Sequence, residues 1–247
     1  MFSSFLTSFG RYLQMLKLMF SKPENFKMYW KEFMTQCYEI GYGSLPIVLI
    51  ISVFLGAVTT VQTAYQLVSP LIPQATIAQI VRESMILELS PTVLSIVLAG
   101  VVGSKVASEL GNMRVSEQID ALEIMGINSA SYLVLPKILA SIVVVPCLVV
   151  ISIVVGIWGG RVAGSMAGII SPNVYDQGAR QNFTAFSVVF ALIKSYTFAF
   201  LISSISAYFG YYVKGGSLEI GRASTKSVVV SCIMILFADY ILAAILL

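Results

Sequence analysis

Long stretches without any charged residue constrain this chain more than any other feature. No Asp, Glu, Lys or Arg occurs between Glu39 and Arg82, and 23 uncharged residues separate Lys137 from Arg161. A helix needs about 20 apolar residues to cross the hydrocarbon core, because no water there satisfies backbone groups. Only 11% of the residues are charged, against roughly 25% in an average soluble protein. The sequence therefore predicts an all-α membrane protein and excludes a soluble enzyme.

Five apolar stretches predict five transmembrane helices. The first is most apolar over residues 45–64, and Pro70 and Pro73 predict the end of its helix. The second must begin near Ile86, because the 16 uncharged residues that follow Glu88 are too few alone. Each of the other three spans follows a basic residue: Lys137, Lys194 and Lys226.

The distribution of Lys and Arg predicts the orientation. Residues 1–44, 105–137 and 213–226 together hold 11 Lys and Arg, whereas the loops on the other side hold three. Because cytoplasmic loops carry the excess of positive charge, the N-terminus is expected in the cytoplasm and the C-terminus on the opposite, periplasmic side.

The first 44 residues are predicted to form an interfacial amphipathic helical segment, followed by a five-helix transmembrane domain over residues 45–247. Apolar side chains recur at steps of three and four in the first twenty residues, with Arg11 and Lys17 between them. Such a helix lies in the membrane surface. A plain membrane anchor with no further role fits this pattern equally well.

The loop after the second span contains a short two-faced helix between Gly111 and Gly126. Its apolar face carries Val115, Ile119, Leu122 and Met125, and an acidic strip carries Glu117, Asp120 and Glu123. Two interpretations are open. The helix packs beneath the bundle, or its acidic edge docks a cytoplasmic partner.

Glu88 is a carboxylate placed within or beside a span. An ionised acid at a span centre costs on the order of 2.5 to 3.5 kcal/mol, so it usually faces a cavity or a partner. Glu88 either lines a substrate path, next to a turn that Pro91 loosens, or lies at the interface near Arg82. Lys194 and Asp239 are candidates for a second pair.

Four glycines at steps of four indicate a helix face that another backbone approaches closely, within the chain or between copies. They are Gly156, Gly160, Gly164 and Gly168.

The sequence offers no catalytic residues, metal ligands or cofactor motif. The chain has no His, so a Ser-His-Asp arrangement is impossible, and Cys37, Cys147 and Cys232 lack paired-ligand spacing. The segment GSLEIGRA at residues 216–223 lacks the Lys and Ser or Thr of a phosphate-binding loop, so ATP is not expected to bind this chain. The net charge of +3 is too small to indicate that the chain binds a nucleic acid.

Several segments together resemble the MlaE permease family, the membrane subunits of ABC-type lipid transporters. They are ELGNMRVSEQIDALEIMGINSASYLVLP, LELSPTVLSIVLAG, GIWGG and GRASTKSVVVSCIMILFADYILA. The resemblance implies a homodimeric inner-membrane permease that moves phospholipid between inner and outer membranes. A separate cytoplasmic ATPase subunit would bind the ATP, and a periplasmic MCE-domain protein would receive or supply the lipid.

The resemblance also implies roles for individual residues. The family's coupling helix falls on Met113, Arg114, Glu117, Ile119, Asp120, Leu122, Glu123 and Met125. The family's cavity carboxylate falls on Glu88, and we expect Gln62, Tyr65, Leu67 and Leu89 to line the lipid cavity with it. Helix packing at Gly156, Gly160 and Gly164 is expected from the glycine spacing itself.

The chain departs from the family pattern around Glu88. The usual Arg before this Glu is Leu87, the usual Gly is Ser90, and a further Arg is Val101. Glu88 therefore lacks two cationic neighbours, for which Lys105 is the candidate replacement. Alternative functions are import of a sterol or another hydrophobic small molecule, an ion-driven secondary transporter, and a membrane scaffold that transports nothing.

Overall fold

The protein is built from helices. The structure is a computed structural model, and it describes residues 2–19, 26–67 and 73–246. Within these ranges every regular element is a helix. The α-helices are α1 Phe2–Met19, α2 Phe26–Gln66, α3 Ala75–Ser84, α4 Leu94–Leu98, α5 Ser104–Val115, α6 Gln118–Ile124, α7 Ser129–Met166, α8 Pro172–Arg180, α9 Ala185–Tyr211 and α10 Ser217–Leu246. Two π-helical stretches cover Met85–Val93 and Ala99–Gly103.

Five helical segments are long and apolar enough to cross a membrane, which confirms the predicted all-α membrane fold. The first to fifth spans are Lys27–Gln66, Ala75–Val115, Ser129–Met166, Ala185–Tyr211 and Ser217–Leu246. We call the end of the bundle that carries α6 the coupling end, and the end that carries α8 the opposite end. The predicted stop at Pro70 lies outside the described residues, and α2 ends at Gln66.

The second span begins at Ala75, earlier than the predicted start near Ile86. The reason is that α3 packs on α8 instead of facing lipid, so its polar residues do not exclude a helix here. A Cβ on Gly178 would lie 2.1 Å from the carbonyl oxygen of Ala75, which shows how closely α3 and α8 approach. The loosened turn expected around Pro91 is present as the first π-helical stretch.

The first and third spans pack through glycines. A Cβ on Gly56 would lie 1.8 Å from the carbonyl oxygen of Gly156, and one on Gly159 would lie 2.6 Å from that of Val53. A Cβ on Gly160 would lie 3.0 Å from the carbonyl oxygen of Gly56. These contacts place the glycine face of α7 against α2 of the same chain. Gly168 follows the end of α7 and has a φ of +66°.

The N-terminal helix α1 packs across the coupling end. Its Met15 and Met19 are buried, whereas Leu13 and Leu18 are about half exposed. The hydroxyl groups of Tyr12 and Ser204 are 2.9 Å apart, which joins α1 to α9. The predicted boundary between residues 44 and 45 falls inside α2, which is continuous from Phe26. The division into an interfacial segment and a transmembrane domain stays a prediction.

Candidate functional site

A buried ion cluster joins three spans. The ammonium group of Lys194 on α9 is fully buried and lies 2.8 Å from Glu88 Oε1 and 2.6 Å from Asp239 Oδ1. Glu88 is in the first π-helical stretch and Asp239 is on α10. Burying a single ammonium in a membrane is costly, and these two carboxylates offset that cost.

Further hydrogen bonds complete the cluster. Lys194 also donates to the carbonyl oxygen of Leu87 at 3.0 Å. In an α-helix this carbonyl would accept the N–H of residue 91, which proline lacks, so Pro91 frees it for the ammonium. The Thr92 hydroxyl lies 3.2 Å from Glu88 Oε2 and 3.0 Å from Asp239 Oδ1. The π-helical stretch therefore supplies three groups to the cluster: the Leu87 carbonyl and the Glu88 carboxylate, which contact Lys194, and the Thr92 hydroxyl, which lies between the two acids.

The two acids of the cluster differ in exposure. The Asp239 side chain is 17% exposed and that of Glu88 is 48% exposed. Asp239 is thus enclosed by protein, whereas one side of the Glu88 carboxylate is open to whatever surrounds the bundle. Lys194 neutralises one of the two negative charges, and the open carboxylate is the group that a bound molecule could reach.

The structure identifies the cation that accompanies Glu88. Lys105, the candidate replacement, instead pairs with Glu39 at 2.8 Å. Arg82 pairs with Glu83 and donates to the carbonyl oxygens of Ala179, Gln181 and Asn182, so it holds the loop between α8 and α9. The sequence pointed to Lys194 and Asp239 as a separate pair. The structure joins them to Glu88.

The other residues predicted to line a lipid cavity lie near the opposite end of α2 and in the π-helical stretch. Leu67 and Leu89 both pack on a small cluster formed by Ile77, Val81 and Met85. Gln62 and Tyr65 are exposed on α2, and neither takes part in the hydrogen bonds of the ion cluster. Of the predicted cavity residues, the structure thus brings only Glu88 into the ion cluster. Leu67 and Leu89 lie against the apolar cluster, and Gln62 and Tyr65 lie on the outer surface.

The predicted two-faced helix is divided into two helices. α5 ends at Val115, Glu117 adopts a left-handed conformation with φ of 60°, and α6 begins at Gln118. The prediction of a single helix through residues 113–125 was therefore wrong. The bend brings Arg114 to Asp120 at 2.6 Å and turns Ile119 into the core, where it is fully buried.

The acidic strip is used within the chain. Asp120 pairs with Arg114, and Glu123 accepts hydrogen bonds from Ser129 at 2.9 Å and from Tyr211 at 3.1 Å. The groups exposed at the coupling end include Glu117 and two large apolar residues, Ile124 and Met125, which are 87% and 66% exposed. Met113 and Leu122 are partly buried against the core. Sequence reasoning missed Ile124, although its position beside Met125 and Gly126 marks the exposed tip of the loop.

Two more ion pairs lie toward the coupling end, and the sequence did not single them out. Lys137 is 2% exposed and lies 2.7 Å from Glu109, and Lys105 lies 2.8 Å from Glu39. Glu39, Lys105 and Glu109 line a narrow cleft of about 100 Å³ between α2 and the second span. Glu39, Lys105 and Lys137 each border an uncharged stretch of the sequence, and that position is the signal from which these ion-paired residues could have been identified.

Comparisons with known proteins identify the family to which the sequence is similar. The profile of the family described as Permease MlaE matches residues 33–245. The chain is 38% identical over 215 residues to a probable ABC transporter permease protein of Rickettsia bellii, covering 87% of this chain and 83% of the relative.

Two further relatives carry more specific names. The chain is 33% identical over 218 residues to the chloroplastic protein TRIGALACTOSYLDIACYLGLYCEROL 1 of Arabidopsis thaliana, covering 88% of this chain and 62% of that protein. It is 29% identical over 212 residues to the intermembrane phospholipid transport system permease protein MlaE of Haemophilus influenzae, with coverage of 85% and 81%.

Proposed function

Because this chain belongs to the MlaE permease family, we propose that it is the membrane subunit of an ABC-type transporter that moves phospholipid between the inner and outer membranes of a bacterium. It acts in the inner membrane as a multi-pass protein. ATP is hydrolysed by a separate cytoplasmic subunit, and this chain supplies the lipid path without carrying out catalysis.

The ion cluster of Glu88, Lys194 and Asp239 is the observation that carries this proposal. A static scaffold has no need for three ionisable side chains inside its spans, because apolar packing there would cost less. The half-exposed Glu88 carboxylate is available to the polar part of a lipid, and neighbouring apolar side chains such as Leu89 would accommodate acyl chains. Leu67 and Leu89 would border this path, with Gln62 and Tyr65 at its opening.

ATP hydrolysis would act on the path through α6. The exposed Ile124 and Met125 provide an apolar surface for the ATPase subunit, with Glu117 at its edge. Ile119 anchors α6 in the core, and the hydrogen bonds of Glu123 to Ser129 and Tyr211 tie it to α7 and α9. Movement of α6 would therefore reach Lys194 along α9. Such a change requires different contacts in the two states of the ATPase.

The proposed assembly is a homodimer with the coupling end in the cytoplasm and a periplasmic MCE-domain protein at the opposite end. The excess of Lys and Arg at the coupling end supports this orientation. Membership of the MlaE permease family is what supports the homodimer and the MCE-domain partner.

Reconstitution tests the proposed function directly. The permease, purified with its ATPase subunit, is placed in donor vesicles, and transfer of fluorescent phospholipid to acceptor particles is followed with ATP or with a non-hydrolysable analogue. We expect ATP-dependent transfer, and a reduced rate of transfer with Glu88→Gln, whose carboxylate is half exposed.

Other outcomes of the same assay contradict the proposal. Transfer without any ATPase subunit but driven by an ion gradient would indicate a secondary transporter. Transfer of a sterol in preference to phospholipid would change the substrate class. An ATPase that associates fully but moves no lipid would indicate a scaffold.

A further inference from the structure

A second polar site lies at the coupling end, away from the ion cluster. It is a cleft of about 370 Å³ where α9 turns into α10. The same end of the bundle carries α6, since Tyr211 contacts Glu123 and a Cβ on Gly111 would lie 3.2 Å from Ile220 Cγ2. The cleft is lined by Phe209, Tyr212, Val213, Lys214, Glu219, Arg222, Ala223 and Lys226.

The cleft is strongly basic. It contains three cations and one carboxylate, and Glu219 is already paired with Arg222 at 2.5 Å. Among the ion pairs of the described residues, none involves Lys214 or Lys226. The Lys226 ammonium lies 5.6 Å from the centre of the Phe209 ring, which directs it over an aromatic wall.

Tyr212 adds a hydroxyl donor to the cleft. Burial raises the pKa of Tyr212 above its usual value, and Tyr208 acts in the same direction, whereas Arg11 and Arg114 oppose the shift. The hydroxyl is therefore protonated at neutral pH and can donate a hydrogen bond. Arg11 and Arg114 also add positive charge from α1 and α5 to the surroundings of this side chain.

An apolar stripe continues from the cleft along α10. Val229, Ile233 and Phe237 follow Lys226 at steps of three and four, so they lie on the same face of the helix. Their side chains are 52%, 60% and 59% exposed. A molecule whose charged part fills the cleft could therefore place a hydrocarbon chain along α10, which a free phosphate ion could not use.

We propose that this cleft binds the headgroup of an anionic glycerophospholipid in the cytoplasmic leaflet, as a site separate from the transport path at Glu88. Lys214, Lys226 and Tyr212 donate to the phosphate oxygens, and the acyl chains lie against the α10 stripe. Basic pockets at the cytoplasmic ends of transmembrane helices bind anionic headgroups in this way. The inference rests on the orientation proposed above.

Native mass spectrometry of the delipidated permease in neutral detergent tests the site. The protein is mixed with equal amounts of phosphatidylglycerol and phosphatidylcholine that carry the same acyl chains. We expect the wild type to retain one more phosphatidylglycerol per chain than the double variant Lys214→Gln/Lys226→Gln, whose apparent affinity falls about tenfold or more.

The matched control removes two cations from the same end of the molecule but outside the cleft. The variant Lys17→Gln/Lys31→Gln should retain phosphatidylglycerol as the wild type does, because both side chains are exposed and neither lines the cleft. Size-exclusion profiles of both variants monitor folding. Equal loss in both double variants would indicate a general charge effect and overturn the proposal.

Two further arms separate the alternatives. Displacement of the extra phosphatidylglycerol by millimolar inorganic phosphate would show that the cleft takes the free ion. Unchanged lipid retention with loss of the ATPase subunit from Lys214→Gln/Lys226→Gln would show a protein docking surface. Either result overturns the lipid site. The binding assay needs no ATP, so it can succeed or fail independently of ATP-driven phospholipid transfer.

Discussion

Lys194 is the residue on which the interior of the bundle depends most. It is fully buried, and it is the shared partner of two carboxylates from two other spans. Without it, Glu88 and Asp239 would face each other across the Thr92 hydroxyl with no cation between them. Repulsion between two acids in a low-dielectric interior opposes packing of the fourth and fifth spans against the second.

We therefore expect Lys194→Met to cost about 3 to 5 kcal/mol of folding free energy, because it leaves buried charge unpaired. The measurement is the Tm of the purified protein in detergent. The triple variant Lys194→Met/Glu88→Gln/Asp239→Asn removes the repulsion as well, and it should recover a large part of the lost Tm. No recovery in the triple variant would contradict the electrostatic explanation.

The two acids are expected to respond differently to neutralisation. Asp239→Asn should lower the Tm, by an amount equivalent to about 1 to 3 kcal/mol, since Asp239 is enclosed and hydrogen-bonded to Lys194 and Thr92. Glu88→Gln should change the Tm less and should alter the amount or kind of phospholipid that co-purifies, because its carboxylate is half exposed. Identical behaviour of both variants would assign Glu88 a purely structural role.

The sequence identified Glu88, Lys194 and Asp239 as candidate residues, but it did not predict that their three side chains contact one another. An acid near a span is visible in the sequence, because charge there is rare. The first and last of these residues are more than 100 positions apart in the sequence. Contact among the three side chains therefore depends on how each of the three helices is rotated about its own axis. That rotation is set by packing contacts, and the hydropathy pattern does not contain it.

At the scale of elements, the contact between α2 and α7 depends on the absence of side chains at Gly56 and Gly156. We expect Gly56→Ala to destabilise the protein by about 1 to 3 kcal/mol or more, because its Cβ would overlap the Gly156 carbonyl. Gly43→Ala is the matched control on the same helix, where a Cβ meets nothing within 4 Å. Tm values of the two variants decide the matter, and equal values would contradict this packing argument.

The exposed tip of α6 can be tested without disturbing the core. Ile124→Asp should abolish co-purification of the ATPase subunit while leaving the permease Tm unchanged, because the Ile124 side chain is 87% exposed. Leu122→Asp should also reduce co-purification but lower the Tm, since Leu122 packs on the core. Lys31→Gln, exposed on α2 and outside α6, is the control and should leave both measurements unchanged. Full ATPase association of Ile124→Asp would remove α6 as the docking element.

Hydropathy predicted the five spans because chain length in the hydrocarbon core is a strong constraint. It did not predict the bend at Glu117, since a left-handed backbone is unusual for a residue other than glycine. Tertiary contacts hold that conformation: Ile119 is drawn into the core and Arg114 pairs with Asp120. A helical periodicity continued smoothly through residues 113–125 and gave no sign of the break.

At the scale of the whole molecule, the orientation has a direct consequence for accessibility. In a variant whose three cysteines are replaced by Ser, a single Glu117→Cys should react with a membrane-impermeant thiol reagent only after the cells are opened. Gln181→Cys, exposed beside α8 at the opposite end, should react in intact spheroplasts. The reverse pattern would invert the proposed topology and remove the basis for cytoplasmic coupling.

The contact between Gly56 and Gly156 also determines which parts of the molecule can flex. Where two helix backbones touch without intervening side chains, a rotamer change cannot let one helix slide past the other. The first and third spans are therefore expected to move together as one rigid unit. The helix α6 contacts the third span through α7 and the second span through α5, so a movement of α6 acts on both. We therefore expect the second span, whose helix is widened at residues 85–93 and 99–103, to bend more readily than the first and third spans.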